Sequence, residues 1–196
     1  GNPDLVPEQS YQTELGLAFD KNDFNISLTG FYNDISNMIR WLPTASGLWQ
    51  PENTDEVQAY GIESAIGYRK ELFTNHELNI SAMYSYTISE DALTGNQLIY
   101  VPQNVVRLNT TYSINNWSAG LFYQFTDEAF TRSTNDPDEI IDNYMLLDAQ
   151  VSWNIPYLKN TSLSLRALNL FDLAYEVVEN RPMPGRSFSI HLITQF

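Results

Sequence analysis

From Gln9 to the end the chain keeps returning to a period of two, with apolar residues on one phase and polar or small residues on the other, in segments broken by Asn, Asp, Gly and Pro. Successive side chains of a strand point to opposite faces, so each segment has one greasy side and one wet side. The last stretch shows it most plainly. Phe188, Ile190, Leu192, Thr194 and Phe196 fall on one face, with Ser187, Ser189, His191, Ile193 and Gln195 on the other. The wet face is too polar to be the core of a soluble domain, so it requires water or a filled lumen behind it. A chain ending on Phe with no polar tail reads as anchored, because exposed termini normally fray.

The same alternation runs through the segments upstream. Tyr11, Thr13, Leu15, Leu17 and Phe19 stand against Gln12, Glu14, Gly16 and Ala18, and Phe24, Ile26, Leu28, Gly30 and Tyr32 continue it after a Lys21-Asn22-Asp23 turn. Tyr60, Ile62, Ile66 and Tyr68 oppose Ala59, Gly61, Glu63, Ala65 and Gly67. Leu78, Ile80, Ala82, Tyr84 and Tyr86 form another greasy phase, as do Val106, Leu108, Thr110 and Tyr112, then Trp117, Ala119, Leu121, Tyr123 and Phe125. Met145, Leu147, Ala149, Val151 and Trp153 precede the final pair of segments, the first of which carries Leu163, Leu165 and Ala167. This predicts about nine strands of roughly ten residues, the length that crosses a bilayer at the usual strand tilt.

The connections alternate in length, short near residues 21, 73, 115 and 157 and long near 48, 94, 135 and 178. Outer-membrane barrels sort their connections this way, into tight inner turns and extended outer loops, whereas a soluble sandwich has no reason to. Pro43 to Asp55 reads as one of the long loops because it is rich in turn residues, and Thr126 to Asn143 reads as a solvated acidic one. Phe19, Phe24, Tyr68, Tyr112, Trp117, Trp153 and Phe196 lie beside short turns, where an aromatic girdle belongs. Tyr11, Tyr32, Tyr60, Tyr86 and Phe125 form a second band toward the long loops. The expected fold is therefore an all-β, antiparallel transmembrane barrel. An odd number of strands would leave two unsatisfied edges in hydrocarbon, so further strands must complete it.

Composition agrees. Charged residues are 17% and aromatics 13%, and no apolar run is long enough for a membrane-spanning helix. The mean hydropathy of −0.30 is compatible with a barrel, because its two phases cancel in any average. A net charge of −14 argues against nucleic acid as a partner. With no cysteine, thiol chemistry and disulfides are removed together.

Several motifs carry a resemblance. Asn169-Leu170-Phe171-Asp172, Tyr175 and Pro182-Met183-Pro184-Gly185-Arg186 before a strand ending on Phe196 resemble the closing strands of TonB-dependent outer-membrane receptors. Asn2-Pro3-Asp4-Leu5 with Pro7-Glu8-Gln9-Ser10 resembles that family's NPxLxPExS segment, and Tyr60-Gly61-Ile62-Glu63 lies between in the family's order. The resemblance implies a barrel of about twenty-two strands filled by a plug, of which residues 1–196 would supply the C-terminal part, with Gly1 inside a longer protein. It implies active import of a scarce, bulky nutrient, with the plug pulled by a TonB complex. Its partners would be the protein's own plug and upstream strands, outer-membrane lipid and the nutrient, with room for a surface lipoprotein. Asn33-Asp34-Ile35-Ser36-Asn37-Met38-Ile39, Tyr60-Gly61-Ile62-Glu63 and Ala167-Leu168 before the Asn169 motif look closest to cobalamin receptors, although ferric-siderophore receptors share most of them.

Site residues follow from position. Trp49, Gln50, Glu52 and Asn53, in the expected outer loop, are candidates for substrate contact, while loop packing explains Trp49 equally well. Glu14, Glu63, Arg107, Asp148 and Arg166 fall on the lumen phase, where they would pair with one another, hold a plug or touch a passing solute. Phe196 is the expected membrane anchor. His76 lies in a turn and His191 on the lumen phase without a nucleophile motif, so no enzymatic activity and no cofactor are expected. Asn135-Asp136-Pro137-Asp138-Glu139 fits no EF-hand, because the required glycine is missing, which favours a solvated loop over a calcium site. The sequons at Asn25, Asn79 and Asn109 lie inside strands and serve the polar phase. A soluble β-sandwich binding module and a passive porin are the alternatives. The first would bury its greasy side against a second sheet, and the second would need neither plug nor energy coupling.

Overall fold

The computed structural model describes residues 2–43 and 47–194, with the side chains of residues 43, 54 and 55 left aside. The strands are β1 (Gln9–Lys21), β2 (Phe24–Pro43), β3 (Trp49–Phe73), β4 (His76–Asp91), β5 (Asn104–Ile114), β6 (Trp117–Thr126), β7 (Ala129–Phe130), β8 (Ile140–Ile141), β9 (Tyr144–Asn154), β10 (Thr161–Leu168), β11 (Glu176–Val178), β12 (Arg181–Pro182) and β13 (Ser187–Thr194). Nine of them form one antiparallel meander in the order β1-β2-β3-β4-β5-β6-β9-β10-β13. The short strands pair among themselves in the long connections, β7 with β8 and β11 with β12.

Register makes the alternation a property of the whole sheet. Leu17, Leu28, Ser64, Tyr84, Val106, Phe125 and Met145 are successive cross-strand partners on one face. Leu78, Tyr112, Ala119, Val151, Leu165 and Ile190 form a second row on that face. These greasy positions are open rather than packed: Leu15 is 76% exposed and Ile190 74%. Among the described residues no second sheet lies against them, which removes the soluble sandwich. The opposite face aligns Thr29, Glu63 and Ser85, and beside them Ala65, Met83, Arg107 and Gln124.

The tight turns are asparagine turns. Asn22, Asn75, Asn115 and Asn160 take φ of 55°, 63°, 52° and 49°, in the left-handed region that Asn tolerates better than other side chains with a Cβ. Beside these turns the greasy face gathers its rings. Trp117 and Trp153 are cross-strand partners stacked at 5.5 Å and 14°, and Phe24 meets Tyr68 at 4.6 Å. Phe196 lies outside the described residues.

The opposite end departs from the sequence expectation. The loop expected over Pro43 to Asp55 is mostly strand, because β2 and β3 stay in register up to Pro43 opposite Trp49. Turn-type residues are accommodated because β4 ends opposite Val57, so the part of β3 before it pairs with β2 alone. The Pro51 carbonyl, which accepts from Asn2, points away from β2, so the missing Pro51 N–H removes no ladder bond. The strands are accordingly longer than ten residues here, with 20 in β2 and 25 in β3. A small dry core lies at this end and not between layers: Val57, Leu98 and Ala129 are its buried apolar members.

Candidate functional site at the outer end and on the polar face

On the polar face the expected charges meet only in part. Arg166 Nη2 lies 3.5 Å from Asp148 Oδ2, and Asp148 Oδ1 accepts the backbone N–H of Asn169 at 2.9 Å. Glu14 accepts from the amide of its own strand neighbour Gln12. Glu63 and Arg107 line one cleft of about 440 Å³ with Ser27, Thr29 and Ser85, yet neither joins an ion pair among the described residues. Arg107 Nε donates to Gln124 Oε1 at 3.4 Å. Nearer the tight turns the face is rich in amides. Asn79 accepts from Arg69 Nε and donates to Glu77, both at 2.6 Å, and Asn109 donates to Ser81 at 3.2 Å. Asn25 lies flat across Gly67, where a Cβ would meet its amide at 2.5 Å. The sequon asparagines thus furnish the polar lining.

At the long-loop end Trp49, Gln50 and Asn53 sit on the β2–β3 ribbon, opposite Pro43, Leu42 and Ile39. Trp49 and Gln50 are exposed. Asn53 is engaged otherwise: its carbonyl accepts Val6 N–H, while its amide donates to the Val6 carbonyl, each at 3.0 Å, and to the Asn37 carbonyl at 2.6 Å. Glu8 accepts the Ile39 N–H at 3.0 Å. The segment before β1 is therefore fastened along the ribbon. Nothing local in the sequence marks Asn53 for this, since only the folded register brings residue 53 to residue 6.

Two further asparagines use the same geometry. Asn135 accepts Gln97 N–H at 2.5 Å and donates to the Gln97 carbonyl at 2.9 Å, joining the connection that follows β4 to the one that follows β6. Asn169, only 5% exposed and at φ 49°, exchanges 2.9 Å bonds with both backbone groups of Leu173 and reaches the Pro184 carbonyl at 3.4 Å. Asp172 accepts the Arg186 N–H at 2.7 Å, and a Cβ at Gly185 would stand 2.7 Å from the same carboxylate oxygen. The Asn169-to-Asp172 and Pro182-to-Arg186 motifs are thus two halves of one fold-back.

The expected acidic loop keeps Glu128, Asp136, Asp138, Glu139 and Asp142 exposed, and a small hairpin of β7 and β8 ties it from within. Thr131 N–H donates to the Glu139 carbonyl at 2.9 Å, and Arg132 Nη1 lies 2.7 Å from Glu179 Oε2 in the next connection. That hydrogen-bonded carboxylate raises the Arg132 pKa against a smaller opposing effect of burial, with Glu139 adding to it. Burial raises the Tyr175 phenol, helped by Tyr144 and Asp148, where its ring packs 4.8 Å from Tyr144. Among the described residues no group of His, Asp and Glu is placed to hold a metal ion. His76 Nδ1 lies 2.6 Å from Tyr112 Oη, and His191 Nε2 lies 3.0 Å from Ser189 Oγ.

Comparison with known proteins follows the same lines. The family model described as "TonB dependent receptor-like, beta-barrel" matches residues 1–170. The vitamin B12 transporter BtuB of Photobacterium profundum is 29% identical over 192 residues, covering 96% of this chain and 30% of that protein. The iron-regulated outer membrane virulence protein of Vibrio cholerae is 27% identical, covering 88% of this chain and 28% of its own length. The chain therefore spans about a third of the curated relatives it matches. Among solved structures, the copper transporter OprC superposes with a TM-score of 0.76 at 19% identity, over 95% of this chain and 31% of its own. The siderophore receptor PirA of Acinetobacter baumannii does so with 0.73 at 22%, over 98% and 32%. With a sheet greasy on one side, polar on the other and sorted into tight and extended ends, a chain matched over these residues belongs to the TonB-dependent receptor-like β-barrel family.

Proposed function

We propose that residues 1–196 form the C-terminal part of the wall of an outer-membrane importer energised through TonB, and that its cargo is cobalamin. Family membership puts the chain in the bacterial outer membrane. The transport reading rests on one observation above others: the sheet keeps a continuous greasy face open and a polar face opposite it, which suits lipid outside and a filled lumen inside. The edge strands β1 and β13 need neighbours in hydrocarbon, which upstream strands of the same protein would supply. In this reading Glu63 and Arg107, left without counter-charges in the sheet, face the plug, whereas Asp148 and Arg166 neutralise each other. Trp49 and Gln50 contact the solute at the mouth, and Asn53 holds the ribbon that carries them. An inner-membrane complex then moves the plug by drawing on the proton gradient, and a surface lipoprotein could share the outer end.

The alignment with BtuB along nearly the whole chain supports cobalamin. So does the charge of the long-loop end, where Asp127, Glu128, Asp136, Asp138, Glu139, Asp142, Glu176 and Glu179 outnumber Arg132, Arg181 and Arg186. Such a rim repels the strongly anionic ferric catecholates more than it repels a near-neutral corrinoid. The motifs shared with ferric-siderophore receptors keep a ferric chelate as the second reading. Purified full-length receptor passed over immobilised cobalamin and over immobilised ferric chelates separates the two. Retention on cobalamin is expected, and retention on ferric complexes alone would reverse the assignment.

A further inference from the structure

Among the described residues, the segments at the outer end of this chain are fastened one to the next by side chains, in a continuous line. Asn53 ties residues 2–8 to the β2–β3 ribbon. Arg40 on that ribbon lies 3.6 Å from Asp91 at the end of β4, both side chains largely covered, and Ala92 N–H donates to the Glu56 carbonyl at 3.0 Å. The connection over residues 92–103 is then held by the reciprocal Asn135–Gln97 pair, by Asn96 Nδ2 on the Ser133 carbonyl at 2.8 Å, and by Tyr100 N–H on the Phe130 carbonyl at 2.9 Å. Arg132 passes the line on to Glu179. At the tight-turn end neighbouring turns are joined as well, by Lys70 and the Arg69 N–H on Asp23, Asn115 N–H on the Asn75 carbonyl and Asn154 N–H on the Asn116 carbonyl, but chiefly through backbone bonds that continue the strand ladders.

We infer that the connections over residues 92–103, 127–143 and 169–186 open together as one cooperative unit, with Asn135 and Arg132 as its principal side-chain ties. A side-chain amide satisfying both backbone groups of a residue across a gap does for loops what a ladder does for strands. Removing it leaves a half-buried N–H and C=O unpaired on the far side, so the neighbouring connection loses stability as well. Arg132 bonded to a carboxylate is a charge-assisted link of the stronger kind. The two ties sit three residues apart in one hairpin, so releasing either loosens the shared anchor of both neighbours. The unit is independent of the solute carried.

The test is native-state hydrogen exchange on the full-length receptor in detergent, read by mass spectrometry on peptides from each connection. In Asn135→Ala, exchange is expected to rise about tenfold in residues 92–103 and 169–186 as well as in 127–143. In Glu179→Gln the same three connections should accelerate together, while peptides at the tight turns keep their protection. A rise confined to 127–143 in the first variant, or to 169–186 in the second, would show independent loops and overturn the inference. Loss of protection at the tight turns would overturn it too, because the cooperative unit would then be the whole barrel. None of these outcomes depends on which solute is bound, so the cobalamin assignment stands or fails separately.

Discussion

Gly61 shows how closely the polar face is built. A Cβ there would lie 2.0 Å from the Tyr86 carbonyl oxygen and 3.0 Å from Phe31 Cζ, so any side chain must push backbone aside. Gly61→Ala should destabilise the full-length barrel by about 1–3 kcal/mol, seen as a lower urea midpoint for loss of the folded gel band, while Gly30→Ala, with nothing nearer than 4.0 Å, should have a far smaller effect. Asn53→Ala should leave the barrel folded but free residues 2–8 to protease, since its bonds to Val6 join the two segments. The residue scale is also where sequence reading reached least far. Alternation located Glu63, Arg107, Asp148 and Arg166 on the polar phase, but which charges meet depends on register. Arg166 is cross-strand from Gln150 and finds Asp148 only diagonally. Asn53, Asn135 and Asn169 look like ordinary turn residues until the chain folds.

Among the elements, the greasy strand phases were legible from period two alone, because a one-residue slip would turn every apolar side chain to the wrong face. The tight turns were legible too, through Asn. Asn115→Val should cost about 1–2 kcal/mol, with Asn115→Gly near neutral, measured by the same urea midpoint. What escaped was the upper half of the β2–β3 ribbon, where Pro43, Pro51 and Asn53 imitate a loop. Composition cannot tell a loop from a ribbon whose outward backbone groups are capped by a third segment, as Asn2 and Glu8 cap this one. In the acidic connection the carboxylates are exposed as charge alone suggests, and what composition did not show is the small hairpin within it, tied through backbone bonds and Asn135. Tyr175 supplies a pH test at this scale. Its phenol is raised above 10.0 by burial in the folded connection, so its packing is fully in force below that pH and is lost as pH climbs through the folded value. Ultraviolet titration compared with Tyr175→Phe should show this phenol ionising above the usual tyrosine range, with its ring contact to Tyr144 loosening alongside.

For the molecule as a whole, the proposed reading puts the tip of the β2–β3 ribbon outside the cell and the tight turns on the inner side. A single cysteine at Gln50, in a full-length receptor otherwise free of cysteine, should react with a membrane-impermeant maleimide on intact cells, whereas one at Asn115 should react only after the outer membrane is opened. The reverse pattern would invert the orientation. On the cobalamin proposal, in which Trp49 contacts the solute, Trp49→Ala should weaken cyanocobalamin binding by the full-length receptor about tenfold, or ~1.4 kcal/mol, by equilibrium dialysis. The ribbon beyond Val57 rises past its neighbour β4 by eight residues, Trp49 to Glu56, or about 25 Å at strand spacing. In the proposed orientation that overhang stands clear of β4 on the outer side, so an antibody raised against its tip should label intact cells.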